Sequence, residues 1–337
     1  MDVSVREVEA AVVQDRHASA SIDDEEIKGR TMIIATMRQA LTGVSGVPVT
    51  AYDGNGEVEP RVTAKVYERV AAAGIHNIVA AGNTGEFYAL TPEEIRRVHE
   101  AAIAGVDGKA PVTAAIGRSL REAIRMAKDA ASIGATAVMS HQPVDPFAAP
   151  ASQIDYFRNL AEASPLPLVA YVRADGFSVD DMVRLAGHSN IGGIKFATTD
   201  LMLLSKAIAA SDPNGALFVC GLAESWAPSF AAAGARGFTS GLVNVAPKLS
   251  LAVHAALAKG DFAGARAIVN KLEPFERMRT KFRNGANVTV VKEAVTYSGL
   301  DVGPVRVPGL PHLDQKDREE LFTLLRGWQE TGDAFTL

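Results

Sequence analysis

The sequence predicts an α/β fold, a (β/α)8 TIM barrel with a C-terminal three-helix appendage, and three observations carry the prediction. Short, almost uninterrupted apolar runs recur from about Val44 onward, as expected for parallel strands buried on both faces. Longer amphipathic stretches with helix start and stop signals separate them. From about Asp261 the short runs cease, and three helical patterns follow near 261–283, 287–298 and 314–329. Eight strand–helix units in about 210 residues favour a closed barrel over an open doubly wound sheet. The open sheet would normally carry a GxGxxG phosphate loop after its first strand, where this chain has Ala51-Tyr52-Asp53-Gly54-Asn55-Gly56.

The strands are expected, in order, at Gly46-Val47-Pro48-Val49-Thr50, His76-Asn77-Ile78-Val79-Ala80-Ala81, Pro111-Val112-Thr113-Ala114-Ala115-Ile116 and Ala135-Thr136-Ala137-Val138-Met139. The second half supplies Pro167-Leu168-Val169-Ala170-Tyr171, Ile191-Gly192-Gly193-Ile194-Lys195, Ala216-Leu217-Phe218-Val219-Cys220 and Gly237-Phe238-Thr239-Ser240. Between the first two, Val62, Val66 and Val70 recur at a spacing of four and give a helix one apolar face. Thr91-Pro92-Glu93-Glu94 joins a capping threonine to a first-turn proline and a glutamate, and Ser119-Leu120-Arg121-Glu122 and Ser178-Val179-Asp180-Asp181 resemble the same capping box. Gly74, Gly134 and Gly234 each follow an Ala-rich helix and precede a strand, which marks helix stops. This divides the chain into residues 1–40, an N-terminal extension expected to be helical or partly disordered around Asp23-Asp24-Glu25-Glu26, a barrel over 41–258 and a helical domain over 259–337.

Composition narrows the function classes. The chain has 337 residues, 47% hydrophobic and 22% charged, the profile of a soluble protein with a large core. A net charge of −5 without a basic run argues against nucleic acid as a partner. No run of about 18 apolar residues reads as a membrane span, and the N-terminus lacks a basic region followed by an apolar one. Cys220 is the single cysteine, so no intrachain disulfide can form; this fits a reducing, cytoplasmic setting.

In a barrel the chemistry belongs at the C-terminal ends of the strands. Those ends offer Thr50, Gly82-Asn83-Thr84-Gly85-Glu86, His141-Gln142, Tyr171-Val172-Arg173, Lys195, Cys220-Gly221 and, after Thr239, Ser240-Gly241. Lys195 ends an apolar strand. Either its head reaches water, or desolvation lowers its pKa and makes it a nucleophile toward carbonyls. Tyr171 lies 24 positions earlier, one βαβ unit away, so the two side chains should be neighbours. A phenol beside an imine-forming amine can shuttle protons; the alternative is a core tyrosine. Arg173 shares the parity of Tyr171 and could hold an anionic group bidentately, or form a surface salt bridge. The amides of the 82–86 loop, with Asn83 and Thr84, could cradle a carboxylate, or form an ordinary βα turn with Glu86 purely structural. His141 could be an acid or base, or part of a structural loop. No second histidine or carboxylate stands at metal-ligand spacing, Cys220 reads as a core residue, and Ser240 lacks a nucleophile-elbow pattern, so neither a metal nor a serine hydrolase is expected.

Together these residues resemble the dihydrodipicolinate synthase / N-acetylneuraminate lyase superfamily over about residues 40–330. The matching features are Pro48-Val49-Thr50, Gly82-Asn83-Thr84-Gly85-Glu86 for the family's Gly-x-Thr-Gly-Glu, the strand-five Tyr171, and Gly193-Ile194-Lys195. Within it, Gly85-Glu86-Phe87-Tyr88-Ala89-Leu90-Thr91-Pro92-Glu93, Tyr171-x-Arg173 and Gly303-Pro304-Val305-Arg306 look closest to the 5-dehydro-4-deoxyglucarate dehydratase subgroup. The resemblance implies a class I lyase that forms a Schiff base with a 2-keto acid. Lys195 and Tyr171 would be catalytic, and Thr50, Gly82, Asn83, Thr84, His141, Arg173, Gly221 and Thr239 would bind substrate. It implies no cofactor and a homo-oligomer, tetramer or dimer. Asn83 and His141-Gln142-Pro143 depart from the Thr–Tyr–Tyr relay of the lysine-pathway synthase, and His141-Gln142-Pro143 also departs from the subgroup's Pro-Pro-Tyr. The readings open at this point are a dehydratase of a keto-deoxy sugar acid, an aldolase or synthase-like condensation with pyruvate, and a non-catalytic keto-acid-binding barrel. A barrel enzyme of different chemistry, with His141 as base, is a further alternative.

Overall fold

The computed structural model describes residues 24–145, 147–173 and 175–335; the first part of the expected N-terminal extension, residues 1–23, lies outside the described residues. Eight parallel strands close into a barrel in sequence order: β1 (Val44–Gly46), β2 (Asn77–Ala80), β3 (Val112–Ile116), β4 (Ala137–His141), β5 (Leu168–Val172), β6 (Ile191–Phe196), β7 (Leu217–Cys220) and β8 (Phe238–Ser240). β8 pairs back onto β1 through Ser45 and Thr239. Helix α1 (Asp24–Leu41) precedes the barrel. The crossover helices are α2 (Pro60–Ala72), α3 (Pro92–Val106), α4 (Leu120–Ser132), α5 (Pro150–Ala163), α6 (Val179–Ala186), α7 (Leu201–Ala210) and α8 (Ala223–Ala232), with α9 (Pro247–Ala258) after β8. Three more helices follow: α10 (Phe262–Asn284), α11 (Asn287–Tyr297) and α12 (Gln315–Glu330). Among the described residues no helix is long and apolar enough to cross a membrane.

The local signals explain most boundaries. Thr91 and Ser178 make complete capping boxes with Glu94 and Asp181. Ser119 caps the Glu122 amide at 3.2 Å. Gly74, Gly134 and Gly234 take φ of +83°, +92° and +103°, so each helix stops where only glycine adopts the left-handed turn without strain.

Two strands differ from expectation. β1 spans Val44–Gly46, earlier than 46–50, because Pro48 has no amide hydrogen to extend a ladder and the Val49 amide donates to the Asn244 side chain instead. β4 runs on to His141, past the apolar run that ended at Met139, because Ser140 and His141 pair with Ala170 and Tyr171 of β5. That extension matters for the site. His141, Tyr171 and Lys195 become register partners on three successive strands and stand at one level of the barrel wall.

Both ends of the barrel are covered. At the start of β6, α1 presses Met37 and Leu41 onto Gly192 and Gly193; a β-carbon on Gly193 would come within 2.5 Å of Leu41, and one on Gly192 would collide with Met37. Beside the opposite rim, a buried ion pair joins the barrel to the last helices. The Lys292 Nζ of α11 donates to Glu86 Oε1 at 3.0 Å and to the Pro304 carbonyl at 2.9 Å, and the Arg306 amide donates to Glu86 Oε2 at 2.9 Å.

Removing one partner of a buried pair strands the other charge and costs about 3–5 kcal/mol. Lys292→Met is therefore expected to lower the free energy of urea unfolding by about that much, and the double variant Glu86→Gln/Lys292→Met to recover more than half of the loss. A double-variant loss equal to the sum of the Glu86→Gln and Lys292→Met losses would show that the pair carries no coupling.

Candidate active site

A cleft of about 390 Å³ opens at the C-terminal ends of the strands, walled by the βα loops and by residues of α10 and α11. Lys195 forms its floor. Its side chain is buried, and its Nζ stands 3.9 Å from the Tyr171 ring centroid. Among the described residues this amine has no hydrogen-bond or ion-pair partner. Burial lowers its pKa to about 7, and the nearby Arg173 charge pushes the same way. The other buried lysine among the described residues, Lys292, is held by Glu86, and its pKa is lowered only to about 8 by burial against that attraction. A desolvated amine without a carboxylate has a free lone pair near neutral pH, which is what addition to a carbonyl needs.

Tyr171 belongs to a chain of side chains running away from the cleft. Its hydroxyl lies 3.2 Å from Asn83 Nδ2, Asn83 Oδ1 lies 2.9 Å from His141 Nε2, and His141 Nδ1 lies 3.2 Å from the Ile116 carbonyl. Burial lowers the pKa of His141 to about 3, with Lys195 and Arg173 adding to the effect, so its ring is neutral and carries one N–H. The Ile116 carbonyl can only accept, so Nδ1 spends that hydrogen, and Nε2 is left as an acceptor. A carboxamide turned by 180° about its last torsion satisfies that nitrogen with its NH2 group and offers its oxygen to the phenol. The resting Tyr171 hydroxyl then donates to Asn83 and keeps its lone pairs for the cleft. Burial also pushes the phenol up to about 12, which keeps it protonated until a substrate charge recruits it.

Of the residues expected at the site, the structure brings Lys195, Tyr171, Asn83, Thr84, Arg173, Gly221 and Thr239 to the cleft wall. Thr50, Gly82 and His141, also expected to contact substrate, do not line it. Thr50 is fully buried and donates to the Gly85 carbonyl at 2.7 Å, holding the loop from behind. Gly82 packs against Val47, where a β-carbon would sit at 2.5 Å. His141 stacks on Phe87 at 4.0 Å beneath Asn83, so it acts through that residue. Gly221 is required by close approach, since a β-carbon there would lie 2.9 Å from the Phe196 carbonyl. Arg173 shares the cleft with Tyr171, and among the described residues its guanidinium makes no salt bridge. Glu86 is structural, but it is satisfied chiefly by Lys292 rather than by backbone amides alone. Ser240 is tied to Ser250 at 3.1 Å, and Cys220 is buried with its thiol pushed up to about 12 by desolvation.

Sequence reasoning missed the far wall. Glu276, Arg279, Thr280, Asn284 and Asn287 all line the cleft. Glu276, Arg279 and Thr280 come from α10 before it breaks at Lys281, where ψ is 148°; Phe282, Arg283 and Asn284 then take positive φ, and Asn284 and Asn287 follow the break. Asn284-Gly285 is a turn signal inside an otherwise helical stretch and is the one local hint of this break.

Comparison with known proteins agrees with this fold. The family model described as "Dihydrodipicolinate synthetase family" matches residues 40–327. A probable 5-dehydro-4-deoxyglucarate dehydratase 1 of Streptomyces coelicolor is 33% identical over 288 residues, 82% of this chain and 91% of that protein. A 4-hydroxy-tetrahydrodipicolinate synthase of Methanoculleus marisnigri is 33% identical over 263 residues, 77% of this chain and 88% of that protein. Among solved structures, dihydrodipicolinate synthase from Oceanobacillus iheyensis superposes with a TM-score of 0.84 at 38% identity, covering 88% of this chain and 99% of its own. A prophage protein of E. coli K12 of the dihydrodipicolinic acid synthase family, solved in complex with pyruvate, gives 0.76 at 26% identity, covering 85% and 98%.

The amine's environment sets a pH dependence. The neutral form reacts, so adduct formation at Lys195 with pyruvate and cyanoborohydride should rise with pH through about 7 and level above it, rather than climb toward the ordinary lysine value of 10.5. Arg173→Ala removes a repelling cation, raises the lysine pKa and should move the midpoint to higher pH. An adduct rate still climbing at pH 9 in the parent protein would contradict a depressed amine.

Proposed function

The chain belongs to the dihydrodipicolinate synthetase family, whose members are class I lyases and synthases, and we propose that it dehydrates a keto-deoxy sugar acid of the 5-dehydro-4-deoxyglucarate kind, with or without decarboxylation, through an imine on Lys195. The observation that carries the reading is the buried Lys195 amine, without a counter-ion among the described residues, 3.9 Å from the ring of Tyr171. The dehydratase relatives, together with Asn83 in place of the synthase's relay threonine, favour elimination over condensation.

A 2-keto acid would enter with its carboxylate on the Asn83–Thr84 loop and its keto carbon above Lys195. The neutral amine adds to that carbon and forms a C–N bond, while the carbonyl π electrons move to oxygen. Tyr171 gives its proton to the new alkoxide and recovers one from the substituted ammonium, giving a carbinolamine. A second passage of a proton through the phenol expels water and leaves a protonated imine. Loss of a proton from the neighbouring carbon gives an enamine, and the enamine electrons expel hydroxide from the next carbon, which leaves as water once protonated. Tyr171 suits this exchange because its hydroxyl is already anchored by Asn83 and needs only to rotate about its C–O bond. Arg173 would hold the far end of the substrate. We place the reaction in the cytoplasm and expect a homo-oligomer.

The test is a panel of 2-keto acids assayed for water elimination, carbon dioxide and pyruvate release, with borohydride trapping in parallel. The reduced adduct should map to Lys195, Lys195→Ala should abolish turnover, and Tyr171→Phe should lower kcat by about 10²–10⁴-fold. An adduct on Lys292 would refute the mechanism, and binding without any adduct would indicate a sensing barrel. Carbon–carbon bond formation between pyruvate and an aldehyde, with the adduct still on Lys195, would keep the imine and replace dehydration by condensation.

A further inference from the structure

We propose that Arg279, supplied by α10, is a second anchor for the substrate carboxylate adjacent to the reacting carbonyl. The proposal rests on the imine reading above and adds a substrate contact from outside the barrel.

Arg279 is buried in the cleft wall, and two of its three nitrogens are committed. Nε donates to Asn287 Oδ1 at 2.9 Å, and Nη1 donates to Glu276 Oε1 at 2.5 Å. Those bonds fix the plane of the guanidinium. They leave Nη2 without a hydrogen-bond partner among the described residues.

The direction of Nη2 is given by Gly241 at the end of β8. A β-carbon built on Gly241 would lie 2.7 Å from Nη2 and 3.4 Å from Thr84 Oγ1. The two donors are therefore no more than about 6 Å apart, facing one small space that exists because residue 241 has no side chain. A carboxylate spans that separation with a hydrogen bond of ordinary length at each oxygen. Thr84 belongs to the loop proposed to cradle the carboxylate beside the keto group, so Arg279 reads the same group from above. Arg173 stands at the end of β5, three strands round the barrel from β8, with the Lys195 strand between them. The two arginines thus address different ends of a substrate centred on Lys195. Glu276 orients Arg279 without occupying Nη2. Glu224, another buried carboxyl, accepts no bond from Nη2; burial and the Glu276 charge raise its pKa to about 7 against the opposing pull of Arg279.

Pyruvate and its methyl ester separate this role from a distal one, because neither carries a distal group and only pyruvate carries the anion. Borohydride trapping at Lys195 is measured against concentration of each. In the parent protein pyruvate should half-saturate at the lower concentration. Arg279→Met should raise the half-saturating pyruvate concentration at least tenfold and change methyl pyruvate less than twofold, with Arg279→Lys between, since an ammonium keeps the charge and loses the fork. If Arg279→Met folds poorly with Glu276 stranded, Glu276→Gln/Arg279→Met removes that charge and yields the same comparison. An unchanged ratio of the two ketones, with the parent adduct intact, would overturn this role for Arg279 alone. No adduct in the parent would overturn the imine reading and this proposal together.

Discussion

A carboxylate with almost no access to water must find opposite charge, and Glu86 is where that requirement organises the molecule. Its backbone takes φ of +63° immediately after the Asn83–Gly85 turn, a conformation that costs a non-glycine residue of order 1 kcal/mol or more. The surrounding contacts offset it. Lys292 and the Arg306 amide satisfy the two oxygens, the Tyr52 ring lies between the Lys292 and Arg306 cations at 4.1 and 4.2 Å, and the Arg306 guanidinium continues to Glu94 at the start of α3. One buried charge therefore clasps the β1 and β2 loops, a crossover helix and the C-terminal segment together. That clasp helps to hold α11, which carries Lys292 and Asn287, over the rim.

The same network explains why two buried lysines in one protein have opposite fates. Lys292 lies against a carboxylate and a carbonyl, so its ammonium is structural. Lys195 lies against an aromatic face with Arg173 as the nearest cationic influence, so its ammonium is disfavoured. Residue type does not distinguish them. The difference is which loop brings an acid within reach, and that is a property of topology.

The barrel was legible because its signals are local and repeated: apolar runs of strand length, capping boxes and glycine stops each act within a few residues. The floor of the cleft was legible for a related reason. Strand order puts Tyr171 beside Lys195, and strand ends select the Asn83–Thr84 loop, so counting units was sufficient. What was not legible has non-local causes. Thr50 and His141 are at strand ends, yet which side of a loop a side chain serves depends on partners 25 to 58 positions away, as the bonds from His141 to Ile116 and Asn83 show. β1 was displaced because the side-chain oxygen of Asn244, far along the chain, accepts the Val49 amide hydrogen. The polar wall of α10 and α11 could not be read at all, since helical periodicity gives no sign of where a helix breaks and folds back over a barrel.

The glycine pair at the base of β6 couples the reactive strand to a segment outside the barrel. Gly192 and Gly193 are sockets for Met37 and Leu41, two and three residues before the lysine that faces the opposite end. In modular terms the lysine strand is not a transferable part. A chimera that borrowed β6 with its native base but left α1 behind would import two empty sockets under Lys195, and one that kept α1 but drew β6 from a strand with larger side chains would have no room to seat it. Inheritance of the reactive amine and of the helix beneath it is expected to be joint.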